Sequence, residues 1–421
     1  MKITMHGAGR EVGRSCIEVQ WHDRRILLDC GLKINPDQNE YPTPIDKPEG
    51  IDAIFLSHAH LDHSGALPLV HHEGVNCPIF CTEVTKELTQ LMLKDSWKID
   101  RIEGRSMIYA KSSIREVLNS MQLSQSGVYK GIQYRLIPAG HIPGAVSVHL
   151  TYKGESLLYT GDISGAQTRL IHKHKPYPEV DVLITESTYG NRAHPDRSTV
   201  EKRFAEIVNQ TIGRGGSVLV AVFAIARSQE MMLLLDQIAP NCPIYLDGMS
   251  KATTKIFLRH QETLRNRNLV KAVDRIDMVT SWESRKTITK KQGVFLATSG
   301  MLDGGPIVSY LKSLGQNKNN ALILTGYQAE ETNGRRLLSH GYVFLDGKPM
   351  DVTCPVYHLD FSAHADETIL HDIINKTKPK FVITQHGETG SVKSLAAYAE
   401  AKGCKAFSPS TGETIIIDDV I

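Results

Sequence analysis

Short apolar runs rich in β-branched residues recur along the whole chain, and each ends in a polar or glycine-rich loop. A helical pattern often follows the loop. Continuous apolar runs of this length predict strands of buried sheets that helices cover on both faces. We therefore expect an α/β fold with strands near residues 51–57, 156–161, 181–185, 216–223, 243–247, 293–298, 320–325, 355–359 and 380–384.

The composition is typical of a folded chain without a membrane span. The 421 residues correspond to roughly two or three domains. No uncharged run approaches the ~20 residues that cross a bilayer, and the N-terminus lacks an apolar signal core. Seven cysteines without a CxxC pair indicate a reducing compartment, so we expect a cytoplasmic protein. Because 48 Lys and Arg balance 46 Asp and Glu, a nucleic-acid partner would need a local basic groove.

The densest cluster of chemically active side chains is the loop 58–63, with the sequence HAHLDH, directly after an apolar run. We do not expect one metal ion to take all four polar side chains from so short a loop. Residues i and i+2 point away from residues i+4 and i+5. This spacing assigns His58 and His60 to one metal, and Asp62 and His63 to a second. Imidazole and carboxylate ligands without a thiolate favour Zn²⁺, with Mn²⁺ and Fe as alternatives.

Two further residues would complete a two-metal site. His141 lies in a Gly/Pro turn, PAGHIPG, after the apolar run 134–137, and Asp162 follows Gly161 at the end of another run. A carboxylate has two oxygens and can bridge two metals ~3.5–4 Å apart. Alone, either residue would more often be a turn histidine or a capping aspartate. The loop 58–63 is what favours the metal interpretation.

The order of these motifs resembles the metallo-β-lactamase superfamily. HxHxDH is followed by His141 and then Asp162, and Asp29 in ILLDCG matches the residue that supports the metal loop in that superfamily. The motif is specific for the superfamily but does not choose the substrate, because thioesterases, lactamases, flavoproteins and nucleases share it.

The second half of the chain resembles the β-CASP branch of that superfamily. The acid Glu186 in ESTYG, His364 in FSAHAD and the terminal His386 in QHGE match the residues that define the branch. Segments 223–230, 297–306 and 326–335 also resemble β-CASP segments. The resemblance covers essentially the whole chain. It is greatest to archaeal relatives of the 73-kDa subunit of the cleavage and polyadenylation specificity factor, in a form without preceding KH domains.

The resemblance implies an αββα sandwich with an inserted α/β β-CASP domain. The spacing supports an insertion independently, because Glu186 and His364 should share one site although a long segment separates them. We expect residues 1–189 to form the first part of the metallo-β-lactamase domain. Residues 190–355 would form the β-CASP domain, and residues 356–421 the second part of the metallo-β-lactamase domain.

The resemblance also implies two Zn²⁺ ions per chain. Their ligands would form two groups that share Asp162: His58, His60 and His141 in the first, and Asp62, His63 and His386 in the second. His364 would be the general acid, and Glu186 would orient it and stabilise its protonated form. Asp62 and Asp162 are also counted among the catalytic residues.

Two glycine-rich or basic loops are candidates for binding substrate phosphates. Arg227 follows an apolar run and begins a helical pattern, and Ser299 and Gly300 lie in the loop before the helical pattern 307–314. Backbone N–H groups at such helix starts bind phosphate, although tight packing explains about half of these loops. Ala226 departs from the family pattern, since relatives often carry glycine there.

The function that the resemblance implies is a zinc-dependent ribonuclease acting on single-stranded RNA in 3′-end processing or decay. Cleavage would be mainly internal, with 5′→3′ trimming as a second mode, and would leave 5′-phosphate and 3′-hydroxyl ends. In this branch, RNA-processing members carry histidine at the position of His386. The alternatives are a non-catalytic RNA-binding subunit and a small-molecule metallohydrolase. We also expect a homodimer, to which the run 413–418 would contribute, and other RNA-processing proteins as partners.

Overall fold

The computed structural model of the 421-residue chain describes residues 1–35, 38–265 and 267–418. The strands are, in chain order, β1 (Lys2–Met5), β2 (Ile17–Trp21), β3 (Arg24–Leu28), β4 (Ala53–Phe55), β5 (Ile79–Cys81), β6 (Met121–Leu123), β7 (Ser126–Tyr129), β8 (Ile132–Pro138), β9 (Val146–Tyr152), β10 (Glu155–Tyr159), β11 (Val182–Glu186), β12 (Val218–Ala221), β13 (Ile244–Asp247), β14 (Ile276–Met278), β15 (Val294–Ala297), β16 (Ala321–Leu324), β17 (Tyr342–Leu345), β18 (Lys348–Asp351), β19 (Val356–His358), β20 (Phe381–Gln385), β21 (Lys405–Phe407) and β22 (Thr414–Ile416).

The α-helices of the described residues are, in chain order, α1 (Leu61–Ser64), α2 (Leu67–His72), α3 (Glu83–Ile102), α4 (Lys111–Ser120), α5 (Arg197–Gly213), α6 (Arg227–Ile238), α7 (Ser250–Arg259), α8 (Asn268–Asp274), α9 (Trp282–Ile288), α10 (Pro306–Leu314), α11 (Asn333–His340), α12 (Glu367–Thr377) and α13 (Thr389–Ala401). Single 3₁₀ turns occur at Pro48–Gly50 and Gln261–Thr263. In the part of the chain that the structure describes, no helix combines the length and the apolar character that crossing a membrane requires.

The chain divides into two compact units. Unit 1 comprises Met1–Gln167, Lys173–Ala193 and the described part of Ala363–Ile421. Unit 2 comprises Thr168–His172 and His194–Ser362. The chain therefore leaves unit 1, forms most of unit 2 and returns, which is the connectivity of an inserted domain.

Unit 1 contains two seven-stranded mixed sheets, with the strand orders β22-β1-β2-β3-β4-β5-β6 and β21-β20-β11-β10-β9-β8-β7. Side chains of the two sheets share one core, in which Phe55 and Trp21 of the first sheet pack with Tyr159 and Ile184 of the second. Two sheets that each bury one face against the other are the central layers of a sandwich.

Helices cover the outer face of each sheet in unit 1. Successive residues of β3 alternate between two cores, because Ile26 and Leu28 join the core between the sheets while Leu27 joins the core under the helices. That outer core includes Val70 of α2 and Val117 of α4. On the second sheet, α13 packs against β20 and β21, and α12 packs against α13. Unit 1 is therefore an αββα sandwich.

Unit 2 is built on a parallel six-stranded sheet with the order β14-β13-β15-β12-β16-β19. On one face, Leu219, Phe295 and Leu322 pack with Ile307 of α10. Helices α5 and α6 contact β12 and β15 but contribute nothing to that core, so they cover the opposite face. The strands β17 and β18 form a separate hairpin. The α/β class that the sequence predicts is confirmed, but among the described residues helices cover both faces of a sheet only in unit 2.

Candidate metal centre and active site

The loop 58–63 is anchored between β4 and the backbone of a neighbouring loop. Asp62 and His63 lie in the short helix α1, immediately after the strand and its loop. The loop that follows β3 packs against this helix, and the Cys30 amide donates to the His63 carbonyl at 2.8 Å. A Cβ on Gly31 would lie 1.8 Å from the Asp62 carbonyl oxygen, so only glycine allows this approach.

The carboxyl ends of three parallel strands supply two further acids and one further histidine of unit 1. Strands β10, β11 and β20 are parallel neighbours, so their carboxyl ends meet at one edge of the sheet. Asp162 follows β10, Glu186 ends β11, and His386 follows β20. His386 adopts a positive φ of 51°, and its amide donates to the Ala8 carbonyl at 2.8 Å.

His58, His60, His141 and Asp162 form the first group of candidate metal ligands. One nitrogen or oxygen of each residue lies within 4.8 Å of those of the others. His60 Nδ1 lies 3.1 Å from His58 Nε2 and 3.2 Å from His141 Nε2. Asp162 Oδ2 lies 3.6 Å from both His58 Nε2 and His141 Nε2. Four ligand atoms therefore face one small volume.

Asp62, His63, His386 and again Asp162 form the second group, with the same 4.8 Å limit between ligand atoms. Asp162 Oδ1 lies 3.3 Å from His63 Nε2 and 3.4 Å from His386 Nδ1. Asp62 Oδ2 lies 3.3 Å from His386 Nε2. Asp162 thus presents one oxygen to each group.

Burial and charge set the protonation of these side chains. Burial and neighbouring imidazoles keep the pKa of His58 and of His141 well below the usual histidine value, which leaves both rings neutral. Burial also acts on His63, but the carboxylates of Asp162 and Asp62 outweigh it and raise the His63 pKa well above the usual value. The second group therefore holds an excess of negative charge that a cation would balance.

The residues present fit a bound divalent metal. His63 Nε2 and Asp162 Oδ1 are buried and lie 3.3 Å apart without hydrogen-bond geometry, and such orphaned atoms are rare in native interiors. Imidazole nitrogens and carboxylate oxygens are the donor set that Zn²⁺ accepts. Three ligand rings also have their other nitrogen held, since His58 Nδ1 lies 3.0 Å from Ser57 Oγ, His63 Nδ1 lies 2.6 Å from Asp29 Oδ2 and His141 Nδ1 lies 2.9 Å from the Ala363 carbonyl oxygen. Second partners of this kind orient the ligands of protein metal sites.

Glu186 and His364 form a hydrogen-bonded pair beside the two groups, in which Glu186 is buried and His364 is partly exposed. His364 Nδ1 lies 2.9 Å from Glu186 Oε2 and 3.9 Å from Asp162 Oδ2. Burial lowers the pKa of His364, but the charges of Glu186 and Asp162 outweigh burial and raise it to about 9. The amide of Ile163 donates to Glu186 Oε1 at 2.7 Å, which fixes the carboxylate. Asp366 caps α12 through its carboxylate and so fixes the end of the loop that carries His364. Asp162, Glu186 and His364 also lie close enough to hold a metal themselves.

The phosphate-binding candidates all lie in unit 2. Arg227 begins α6 and is 7% exposed, and its guanidinium lies 3.6 Å from Glu230 Oε2. Ser299 and Gly300 follow β15, and the Ser299 hydroxyl is buried without a hydrogen-bond partner. A Cβ on Gly300 would lie 3.0 Å from the Phe223 ring, so packing explains at least this glycine.

Three further polar side chains of the site escaped the sequence interpretation. The Ser57 hydroxyl and the Tyr159 phenol contact Asp29, and Thr188 Oγ1 lies 3.4 Å from His364 Nδ1 and 3.3 Å from His386 Nδ1. Each lies within three positions of a motif residue. Proximity to a motif was the sequence signal that could have identified these side chains as part of the site. Hydroxyl groups near motifs are too common, however, for that signal to be selective.

Three family models match this chain. A metallo-beta-lactamase superfamily model matches residues 9–195, and a Beta-Casp domain model matches residues 228–337. A model described as a Zn-dependent metallo-hydrolase RNA specificity domain matches residues 349–409. Their order along the chain is that of a metallo-β-lactamase domain interrupted by a β-CASP insertion.

Curated archaeal proteins match nearly the full length. "Probable RNase MJ4" of Methanocaldococcus jannaschii is 40% identical over 99% of this chain and 100% of its own length. "RNase aCSPSF2" of Saccharolobus solfataricus is 35% identical, covering 97% of this chain and 84% of that protein. "Transcription termination factor FttA" of Methanocaldococcus jannaschii is 36% identical, and the match covers 92% of this chain and 67% of that protein.

A solved structure shares the fold. The match is described as a protein of unknown function from Enterococcus faecalis, with a TM-score of 0.61, 15% identity and 99% coverage of both chains. The family models and the full-length archaeal relatives agree with the αββα sandwich and its insertion, and they confirm the resemblance seen in the sequence. This chain belongs to the β-CASP branch of the metallo-β-lactamase superfamily.

Proposed function

We propose that this chain is a zinc-dependent ribonuclease that hydrolyses phosphodiester bonds of single-stranded RNA. Cleavage is mainly internal, with 5′→3′ trimming as a second mode. The observation that carries the proposal is the pair of ligand groups that share Asp162 beside the Glu186–His364 pair, in a chain of this family. Two metals can stabilise the attacking and leaving oxygens in the hydrolysis of a phosphodiester, and a general acid can protonate the leaving oxygen.

Two Zn²⁺ ions per chain are the proposed cofactor. His58, His60 and His141 would hold the first ion, Asp62, His63 and His386 would hold the second, and Asp162 would bridge them. When bound, such ions lower the pKa of a bound water toward ~7 and neutralise charge on the phosphoryl oxygens. Support comes from the orphaned His63 Nε2 and Asp162 Oδ1, and from a donor set without thiolate.

His364 is the proposed general acid. It donates its proton to the leaving oxygen, and the Glu186 carboxylate orients the ring from 2.9 Å and stabilises the protonated form. With 22% of its side chain exposed, His364 can contact a substrate, whereas Glu186 is fully buried. We assign the pair to proton transfer, the role that the family resemblance implies, rather than to a third metal.

RNA is the proposed substrate because of the relatives and the domain match. Two relatives are named ribonucleases, and the model matching residues 349–409 is described as an RNA specificity domain. We assign Arg227, Ser299 and Gly300 to substrate phosphates, which predicts that RNA affinity falls steeply as salt rises. A small-molecule hydrolase would show no such salt dependence.

The domain limits and the biological setting are also proposals. We assign residues 1–189 and 356–421 to the metallo-β-lactamase domain and residues 190–355 to the β-CASP domain, and the compact units divide at neighbouring positions. A role in RNA 3′-end processing or decay, in the cytoplasm and with other processing proteins as partners, is proposed from the family.

We further propose a homodimer, because β22 lies at a sheet edge with Ile416 66% exposed. Light scattering of wild type and Ile416→Lys tests it.

The decisive experiment uses purified full-length protein whose metal content has been quantified. Circular RNA and 5′-labelled linear RNA of the same sequence are incubated with it, and the ends produced are mapped. Cleavage of the circle with 5′-phosphate products supports the proposed endonuclease, because a circle offers no end to an exonuclease. A metal-loaded protein that binds RNA but cuts neither substrate would instead be a binding subunit.

A further inference from the structure

The carboxylate of Asp29 accepts hydrogen bonds from three different side chains and one amide. Ser57 donates to it twice, from its amide to Oδ1 and from its hydroxyl to Oδ2, both at 2.6 Å. His63 Nδ1 and the Tyr159 phenol each lie 2.6 Å from Oδ2. Asp29 is fully buried, so these partners replace all of its water. The resemblance to the family assigned support of the metal loop to Asp29 alone.

The direction of each proton follows from what each group can donate. Tyr159 lies in the core between the sheets, and burial together with the Asp29 charge raises its pKa well above the usual value, so the phenol stays a donor. Ser57 has one hydroxyl proton, which points to Asp29. The Ser57 oxygen is therefore left as an acceptor for His58 Nδ1, which lies 3.0 Å away.

These protons set the tautomers of ligands in both groups. Nδ1–H of His58 points to the Ser57 oxygen, which leaves Nε2 as the atom that faces His60 and Asp162. Nδ1–H of His63 points to Asp29, which leaves the orphaned Nε2 facing Asp162 Oδ1 at 3.3 Å. The Asp29 carboxylate is thus hydrogen-bonded to His63 directly, and it is linked to His58 through the Ser57 hydroxyl.

We propose that Ser57 and Tyr159 are positioning residues for the metal centre, and that they act on different parts of it. Ser57 acts on both ligand groups, because its hydroxyl contacts His58 and Asp29 at once. Tyr159 acts mainly on the second group, because only Asp29 lies between it and His63, whereas both Asp29 and Ser57 lie between it and His58. The inference rests on the proposed metal centre and adds to it a coupling between the two metal positions.

The alternative role for Ser57 and Tyr159 is packing. A packing role and a positioning role differ in whether a substitution affects the two ligand groups unequally. Tyr159 fills the core between the sheets, so a large deletion there would disturb both groups equally. Tyr159→Phe keeps the ring and removes only the hydrogen bond. A packing role predicts no selective change for this variant, whereas positioning predicts a loss that is larger in the second group than in the first.

The test measures Zn²⁺ affinity of the full-length, metal-stripped protein by competition with a chromophoric chelator, without RNA. Each variant is placed in two backgrounds. His60→Ala leaves the second group intact, and His386→Ala leaves the first group intact. Partners of metal ligands typically contribute about 10–100-fold to metal affinity. We therefore expect Tyr159→Phe to weaken Zn²⁺ binding about tenfold in the His60→Ala background and less than about threefold in the His386→Ala background.

Ser57→Ala should weaken binding about tenfold in both backgrounds. The matched controls are Tyr134→Phe, a buried tyrosine of the same core, and Ser113→Ala, a buried serine of α4. Neither should change affinity in either background. Far-ultraviolet circular dichroism and the Tm of the stripped protein show whether each variant folds.

Three outcomes would overturn the inference. Equal losses for Tyr159→Phe in both backgrounds would mean a packing role, and unchanged affinity in the His60→Ala background would mean that its hydrogen bond is irrelevant to the ligands. A Ser57→Ala loss restricted to one background would break the proposed link to His58. If the wild-type protein binds no Zn²⁺ at all, the proposed metal centre itself fails, which is a separate result.

Discussion

Glu186 and His364 lie 178 positions apart in the chain, and their side chains form a 2.9 Å hydrogen bond between Oε2 and Nδ1. The Ile163 amide donates a hydrogen bond to Glu186 Oε1, the other carboxylate oxygen, and so fixes the orientation of the carboxylate. The fixed carboxylate orients the His364 ring through their hydrogen bond, while part of the ring stays exposed to solvent. A fixed carboxylate behind an accessible histidine suits proton donation from the histidine to a leaving group.

His364→Ala should lower the single-turnover rate of RNA cleavage about 10²–10⁴-fold, the usual range for loss of a general acid. Metal content should stay that of the wild type, because the substituted ring belongs to neither ligand group. Glu186→Gln should give a smaller loss. His22→Ala, which removes a half-exposed histidine outside the site, is the control and should cleave normally. Full activity of a metal-loaded His364→Ala protein would exclude the acid role.

Gly31→Ala should destabilise the protein, because the added Cβ would lie 1.8 Å from the Asp62 carbonyl oxygen. Forcing extra atoms into a packed site typically costs about 1–3 kcal/mol. The displaced helix carries Asp62 and His63, so Zn²⁺ affinity should fall as well. Differential scanning calorimetry and chelator competition measure the two effects.

Gly213→Ala is the control for that substitution. Nothing lies within 4 Å of a Cβ at Gly213, which ends helix α5. Alanine in a helix is favoured over glycine by about 0.5–1 kcal/mol, so this variant should be neutral or slightly more stable. Equal Tm values for the two variants would contradict the close approach at Gly31.

Ala226→Gly should stabilise unit 2. Ala226 precedes α6 with φ 65° and ψ −49°, a region that glycine enters without a Cβ penalty. Relief of such a conformation is worth about 1 kcal/mol after the entropy that glycine adds to the unfolded chain. Ala252→Gly within α7 should act in the opposite direction. Urea unfolding followed by circular dichroism compares the two, and a lower midpoint for Ala226→Gly would contradict the prediction.

Asp247→Asn should destabilise unit 2 at neutral pH and have less effect in acid. The Asp247 carboxylate is buried and faces Arg285 Nε at 2.5 Å, the Tyr310 hydroxyl at 2.9 Å and Lys251 Nζ at 3.3 Å. Burial raises its pKa, but the hydrogen bonds from Arg285 and Tyr310 outweigh burial and lower it. Removing hydrogen bonds to a charged group costs about 2 kcal/mol.

The pH dependence of that effect follows from the lowered pKa. The folded protein binds fewer protons at Asp247 than the unfolded chain, whose aspartates titrate near about 3.9. The stabilisation is therefore complete above about pH 4 and is lost as the pH falls through the folded-state value. Thermal unfolding from pH 7 to pH 3 should show the Tm difference between wild type and Asp247→Asn shrinking. A difference that is constant or grows in acid would contradict the prediction, and Asp277→Asn, an exposed carboxylate of β14, should show none.

The apolar runs of the sequence located the strands, because continuous β-branched segments between turn residues depend only on local chemistry. The run 51–57 contains β4, and the helical pattern 307–314 lies within α10. Which apolar face meets a helix and which meets another sheet was not predictable. Ile26, Leu27 and Leu28 are equally apolar, yet they enter two different cores.

The sequence by itself determined which side chains are available for chemistry, since the spacing in HAHLDH and the strand-end positions of Asp162, Glu186 and His386 are local properties. Spacing and the family resemblance predicted the two groupings and the shared position of Asp162, whereas only the tertiary structure decided the distances within each group and the convergence of Ser57 and Tyr159 on Asp29. The physical reason is that a hydrogen bond or a ligand group depends on atoms within a few ångströms, and segments more than a hundred positions apart supply those atoms. Local patterns carry no information on such distances, so a contact such as that of Tyr159 with Asp29 appears only once the chain is folded.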